Sequence, residues 1–382
     1  MSNPAGVPDA TSVMRELHST YCLCGEPRNG LLSVPDVLLL YLSSVLRNDQ
    51  TPPPECSPEA WQSLLRHLYP HWATPILYGY LRAWDEECLP PAEVMEMIRR
   101  DYLMGRVHSV QMDRQLGEIL TAAEDHGIRM LILKGPALAR SLYPDPAMRG
   151  GSDLDVLVCP EQVEEAESLL TALGYRCDEN KFAVSSNYYH EETFYPDRID
   201  PGHVAVEIHW RCTPSLGFVS PIPLEELFSR AVTVRTGHLT FETLAPRDAF
   251  LHTALHTVVG HTRSIRLIWI HDIALLAGRL RVPEDWAAVS EASRVWRARN
   301  AVEIALTMAR IWTGFTPPPG YDDFTRWPTP SDEEEAIWPA LLKKDDSVPS
   351  YLKLKVSALP DRREKIQMLR YLAGRHLRNW FR

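Results

Sequence analysis

Along the first third of the chain, apolar positions recur every three or four residues, the period of helices packed on one side. The run 33–47 predicts a helix with Ser33 as its N-cap, and the proline-rich stretch 48–57 predicts the loop that ends it. Residues 57–69 and 71–84 predict two more helices. A long helix is expected over about 92–126, with Ile98, Leu103, Val107, Leu116, Ile119 and Leu120 turned inward. The texture changes at Gly127. Residues 128–133 form a short β-rich run, Lys134-Gly135 interrupt it, and 136–143 read as a helix with Pro136 in its first turn. After a loop, 153–159 reads as a second strand and 160–174 as a helix closed by Gly174. Residues 175–178, 190–196 and 203–210 alternate apolar and polar positions, as antiparallel strands joined by polar turns do. From about 221 the helical period returns, clearest in 245–262, 265–280 and 287–312. An acidic, proline-rich loop then leads to a basic helical tail from Arg362 to Arg382.

This order predicts an α+β chain. A small mixed β-sheet core, covered by helices on one face, is flanked by N- and C-terminal helical regions. The expected divisions are 1–126, 127–220 and 221–382.

The second strand carries the first sign of chemistry. Asp153 and Asp155 flank Leu154 and run into Val156, Leu157 and Val158. Carboxylates two residues apart on a strand share a face. Two like charges there are costly unless a cation or strong donors meet them. A later strand repeats the motif once, with Glu207 between Val206 and Ile208.

Composition narrows the setting. The formal net charge of −10 argues against a broad nucleic-acid-binding surface, while leaving room for a local basic groove. The seven cysteines are scattered without a C-x-x-C pair, and Cys22-x-Cys24 lacks the partners of a zinc site, so reduced thiols are expected. With no apolar run approaching the roughly 20 residues of a membrane span and no N-terminal signal pattern, a cytoplasmic protein is expected.

The order strand, Lys-Gly, helix, loop, strand with Asp-x-Asp resembles the nucleotidyltransferase superfamily with the polymerase-β-like core. The closer resemblance is to a family of uncharacterised nucleotidyltransferases. It is carried by Leu133-Lys134-Gly135, Tyr143, Arg149, Asp153, Asp155 and Glu207-Ile208-His209-Trp210 in that order, and by the flanking runs 71–81, 251–256 and 268–276. The resemblance implies a nucleotidyltransferase core in which Asp153, Asp155 and Glu207 are catalytic and bind Mg²⁺ or Mn²⁺. It implies an NTP as substrate, held by Lys134, Gly135, Arg149 and Ser152. An NMP group would pass to a small-molecule, peptide or protein acceptor, with release of pyrophosphate. The chain departs from the wider superfamily in having Lys134-Gly135 where Gly-Ser or Gly-Gly is usual, and Glu207 where Asp is commoner.

Other readings stay open on the residues alone. The same fold could serve as a catalytically weak nucleotide-binding or regulatory module, or as an RNA-end nucleotidyltransferase. Asp153 and Asp155 could cap a solvated strand end, and Lys134 could be a plain turn residue. His209 shares Glu207's strand face but is left outside the expected ligand set; Trp210 reads as core. His190 could line the same cleft. His252 and His256, four apart on a helix, admit a metal-dependent hydrolase, as does His271-Asp272; the plainer reading is hydrogen bonding between packed helices.

Overall fold

The computed structural model describes residues 34–177, 191–197, 202–212, 222, 224–237, 239–261 and 265–332, and singly 334, 335, 338, 362 and 366. Cys22, Cys24, His190 and nearly all of the basic tail lie outside the described residues.

Among the described residues, four helices come first: α1 (Asp36–Arg47), α2 (Pro58–Leu68), α3 (Thr74–Leu81) and α4 (Ala92–Asp125). Ser57 caps α2 by accepting the Ala60 amide at 3.3 Å, with Pro58 set in the first turn. The start of α1 differs from expectation. It begins at Asp36 behind Pro35, not at Ser33, because a proline disfavours helical geometry in the residue before it.

Helix α4 also corrects the expected inner face. Leu103 and Val107 are 41% and 56% exposed. The helix changes partners midway: Val94, Ile98 and Tyr102 pack into one core, while Met112, Leu116, Ile119 and Ala123 pack into another. Its buried stripe is therefore interrupted, and the apolar residues between the two contacts face outward.

The sheet follows, threaded with helices: β1 (Met130–Leu133), α5 (Lys134–Leu142), β2 (Asp153–Val158), α6 (Val163–Ala172), β3 (Tyr175–Cys177), β4 (Glu191–Pro196), β5 (Ala205–His209), α7 (Leu224–Arg230), β6 (Val232–Thr236) and β7 (Leu239–Thr243). Among the described residues, seven strands lie in the order β3-β4-β5-β2-β1-β7-β6, with β2–β5 and β1–β7 parallel and the other pairs antiparallel. The class is α+β with a mixed sheet, as expected. The β6–β7 hairpin is an addition, since residues beyond 221 read as helical. Its strands alternate with period two, but only five residues each, and β6 leaves most of its side chains in solvent.

Both faces of the sheet are covered, which corrects the one-sided expectation. Ile132, Leu154, Val156, Val206 and Ile208 point into a core shared with α4 and α6. Leu131, Leu133 and Leu157 point the other way, into a core shared with the helical regions. Asp153 and Asp155 alternate with Leu154 and so lie on the second face.

That face is roofed by α8 (Pro246–Leu255), which continues as a π-helical turn over His256–Gly260, and by α9 (Leu267–Ala277). The run 287–312 is two helices, α10 (Pro283–Val295) and α11 (Arg299–Thr313), broken where Arg297 takes a φ of 52°. N- and C-terminal helices dock on one another: α1 packs on α11, and the Ser43 hydroxyl donates to the Trp312 carbonyl at 3.1 Å. Among the described residues, no helix is long and apolar enough to cross a membrane.

Candidate active site

Strand register builds the site. In the parallel pair β2–β5, Asp155 lies opposite Glu207 and Leu157 opposite His209. In the antiparallel pair β4–β5, Glu191 lies opposite His209. Paired residues share a face, so Asp155, Glu207, His209 and Glu191 gather on the side roofed by α8 and α9. The end of β1 completes the group, because Leu133 is the register partner of Asp155 and Lys134 comes next.

Lys134 does not stand free on its turn. Its Nζ is 2.7 Å from Asp155 Oδ1, with the side chain almost entirely buried. The residue takes a φ of 40°, a left-handed conformation that costs a non-glycine residue about 1 kcal/mol or more. His209 Nε2 donates to the same Oδ1 at 2.9 Å and lies 3.7 Å from Glu207 Oε2. On its other side, His209 Nδ1 is 3.4 Å from Glu191 Oε2.

Burial works against every charge in this group. It would lower the Lys134 ammonium, but Asp155, Glu207 and Asp153 outweigh it and hold that pKa above the ordinary value. Burial would likewise raise Asp155, yet Lys134 and His209 hold it well below the carboxylate range. For His209 the bonds to Asp155 and Glu207 win over burial and lift it to about 9. Asp153 and Glu207 go the other way: desolvation and the neighbouring Asp155 raise both. These two acids are the under-compensated members, and further positive charge would relieve them.

Arg149 anchors the loop before β2. Its Nη2 donates to Asp272 Oδ2 at 2.8 Å and its Nε to the same oxygen at 3.2 Å, both groups being buried. The Tyr143 hydroxyl donates to Asp272 Oδ1 at 2.8 Å, and His271 Nδ1 meets that hydroxyl at 3.0 Å while its Nε2 meets the Tyr80 hydroxyl at 3.1 Å. Tyr143, Arg149 and His271-Asp272, which are far apart in the chain, thus form one buried network. Gly150 sits flat on Trp72, where an added Cβ would fall 2.5 Å from the indole Cε3. Ser152 bonds to Asp153 and helps keep it ionised.

A small polar cleft of about 110 Å³ opens above the acids. Lys134, Gly135, Arg149, Ser152, Asp153 and Asp155 line its floor. Trp72, His256, His261, Arg266 and Trp269 form its walls. The Arg266 guanidinium lies 5.0 Å from the centroid of the Trp269 ring. Burial lowers its pKa while Asp153 opposes that. Burial and the nearby Lys134 push His261 down to about 4, and His256 well below the ordinary histidine range, so both rings are neutral.

The residues singled out in the sequence therefore converge on one place, with changes of partner. Lys134 and Asp155 are paired to each other, and the Arg149 guanidinium is taken by Asp272. Among the described residues, one group of three potential metal ligands has its ligand atoms within 4.8 Å of one another: Asp155, Glu207 and His209. Asp153 stands outside that group and His209, left out of the expected set, is in it. The donor set is two carboxylates and an imidazole with a carboxylate surplus around it, which fits a divalent cation. His252, His256 and His271 are not in the group. Arg266 and Trp269 were missed; only their place before and within the run Leu267–Ala277, on the roofing helix, could have pointed to them.

Comparison with known proteins adds the following. A family model described as uncharacterised nucleotidyltransferase matches residues 57–314. No curated protein matches the chain. A solved structure that matches is the solution structure of the antibiotic-resistance factor ANT(2″)-Ia, at 15% sequence identity and a TM-score of 0.35, covering 50% of this chain and 95% of that one.

Proposed function

The chain belongs to the uncharacterised nucleotidyltransferase family, and we propose that it moves an NMP group from an NTP to an acceptor hydroxyl or other nucleophile, releasing pyrophosphate. The observation that supports this reading is the meeting of the Lys134-Gly135 turn, Asp153 and Asp155 on the floor of one cleft whose wall carries Arg266, with Glu207 the register partner of Asp155 on the next strand.

Asp153, Asp155 and Glu207 are the residues that would hold Mg²⁺ or Mn²⁺. Such an ion, when bound, offsets phosphate charge and polarises the phosphoryl oxygens. Lys134 is the phosphate-binding cation on the floor, and Arg266 serves as a second from the wall, neither needing to cross the cleft. Gly135 lets backbone approach the phosphates, and the Ser152 hydroxyl is a further donor. Arg149 acts through the loop it anchors to Asp272. Glu207, raised by burial, is suited to take the proton of the acceptor as its oxygen attacks the α-phosphorus and the bond to pyrophosphate breaks. The acidic balance of the chain favours a small-molecule, peptide or protein acceptor over RNA. Scattered cysteines favour the cytoplasm.

Calorimetry with each NTP in turn, with and without Mg²⁺ or Mn²⁺, tests the reading. Binding should require the ion and be lost in the Asp153→Ala/Asp155→Ala double variant. If no NTP binds with either ion, the proposal falls.

A further inference from the structure

We propose that the ion site selects a transition-metal dication of the Mn²⁺ kind over Mg²⁺, with His209 Nε2 as one of its ligands. The inference rests on the nucleotidyltransferase reading and names the cation class that reading leaves open.

The donor set is the starting point. The atoms that come within 4.8 Å of one another belong to Asp155, Glu207 and His209, so a nitrogen joins the carboxylates of Asp155 and Glu207, with Asp153 a further oxygen donor beside them. Mg²⁺ demands oxygen ligands in near-octahedral array and gives up water reluctantly. An imidazole nitrogen suits the first-row transition ions, and carboxylates keep Mn²⁺ within the accepted set. A second Asp in this position would favour Mg²⁺; His209 moves the preference.

The imidazole is also held for that task. His209 is 3% exposed and sits on β5 between β2 and β4, so its ring has no room to swing away. The β4–β5 register places Glu191 directly beside it, with Glu191 Oε2 3.4 Å from Nδ1. A carboxylate on one ring nitrogen fixes the tautomer and aims the other nitrogen at a metal. Here the other nitrogen, Nε2, faces Asp155 Oδ1 at 2.9 Å and Glu207 Oε2 at 3.7 Å. Glu191 is thus a positioning residue.

The site is kept in charge order meanwhile by Lys134, whose Nζ shares Asp155 Oδ1 with His209. When the ion enters, Lys134 yields that oxygen and the Nε2 proton passes to solvent. No covalent bond is made or broken.

Electron paramagnetic resonance of Mn²⁺ titrated into the full chain, with and without a non-hydrolysable analogue of each NTP, tests this directly. Pulsed spectra of the bound ion should show a coupled ¹⁴N of imidazole type, lost in His209→Gln. Mg²⁺ competition should give a Mn²⁺/Mg²⁺ affinity ratio roughly ten-fold or more higher in wild type than in His209→Gln. Glu191→Gln should keep the nitrogen coupling while weakening Mn²⁺ several-fold. Should His209→Gln fail to fold, the wild-type nitrogen signal and competition decide alone. Bound Mn²⁺ without nitrogen coupling overturns His209 as a ligand and leaves the nucleotidyltransferase reading standing. Absence of any bound Mn²⁺, even with nucleotide analogues, overturns this inference and the ion dependence beneath it.

Discussion

Lys134 holds two opposed relations at once. It neutralises Asp155 across 2.7 Å, and it stands on the floor of the cleft where phosphates would lie. A cation that already occupies an ion's ligand competes with that ion, so lysine and metal are negatively coupled. Couplings of this kind between binding events typically amount to 5–150-fold. Lys134→Met should therefore tighten Mn²⁺ binding in the absence of nucleotide by about five-fold or more, while weakening NTP binding with the ion present. Free-ion spectroscopy for the first and calorimetry for the second would check it; metal binding that weakens in the variant would sink the competition. The motif residues were legible in the sequence because strand alternation and an apolar frame around isolated acids are local patterns. Their partners were not. That Lys134 meets Asp155 depends on the register of β1 against β2, and that Arg149 meets Asp272 depends on how α9 crosses the loop. In sequence a histidine beside an acid has many uses, and it takes Glu191 on the neighbouring strand, 3.4 Å from Nδ1, to show how the His209 ring is held.

At the scale of elements, α9 is the piece whose importance the apolar pattern hides. Its run is hydrophobic all round, as a buried helix should be, and it carries His271 and Asp272 inside. Asp272 is fully buried and receives both Arg149 and Tyr143. Asp272→Ala leaves the Arg149 charge buried without a partner, and breaking a buried pair from one side costs about 3–5 kcal/mol. Denaturant midpoints should fall accordingly, while an unfolding free energy within about 0.5 kcal/mol of wild type would mean the pair is not structural. His271 adds a pH dependence of known sign. Burial lowers it from 6.5 to about 4, so between those values the unfolded chain takes up a proton that the folded chain refuses. Its contribution is complete above pH 6.5 and is lost as pH falls towards 4. Relative to His271→Gln, wild type should lose on the order of 3 kcal/mol over that interval. A difference that stays level with pH would show the ring to be charged when folded. The hairpin Val232–Thr236 and Leu239–Thr243 escaped the sequence reading for a related reason: its identity comes from β7 pairing with β1, a contact over 100 residues away in the chain.

Over the whole molecule, class and order were readable because each stretch repeats its own period, and the two-sided cover of the sheet was not, because it depends on which helix reaches which face. The helix α4 joins these matters. At 34 residues it is about 50 Å long, and its two ends are embedded in different cores. Its middle, where Leu103, Met104, Val107 and Val110 are exposed, belongs to neither. A rigid rod seated at both ends cannot let one core loosen without levering the other. The sheet that bears the acids and the helices that roof it are then tied mechanically as well as by contact, and the described body should melt in one transition with coincident near- and far-ultraviolet dichroism midpoints.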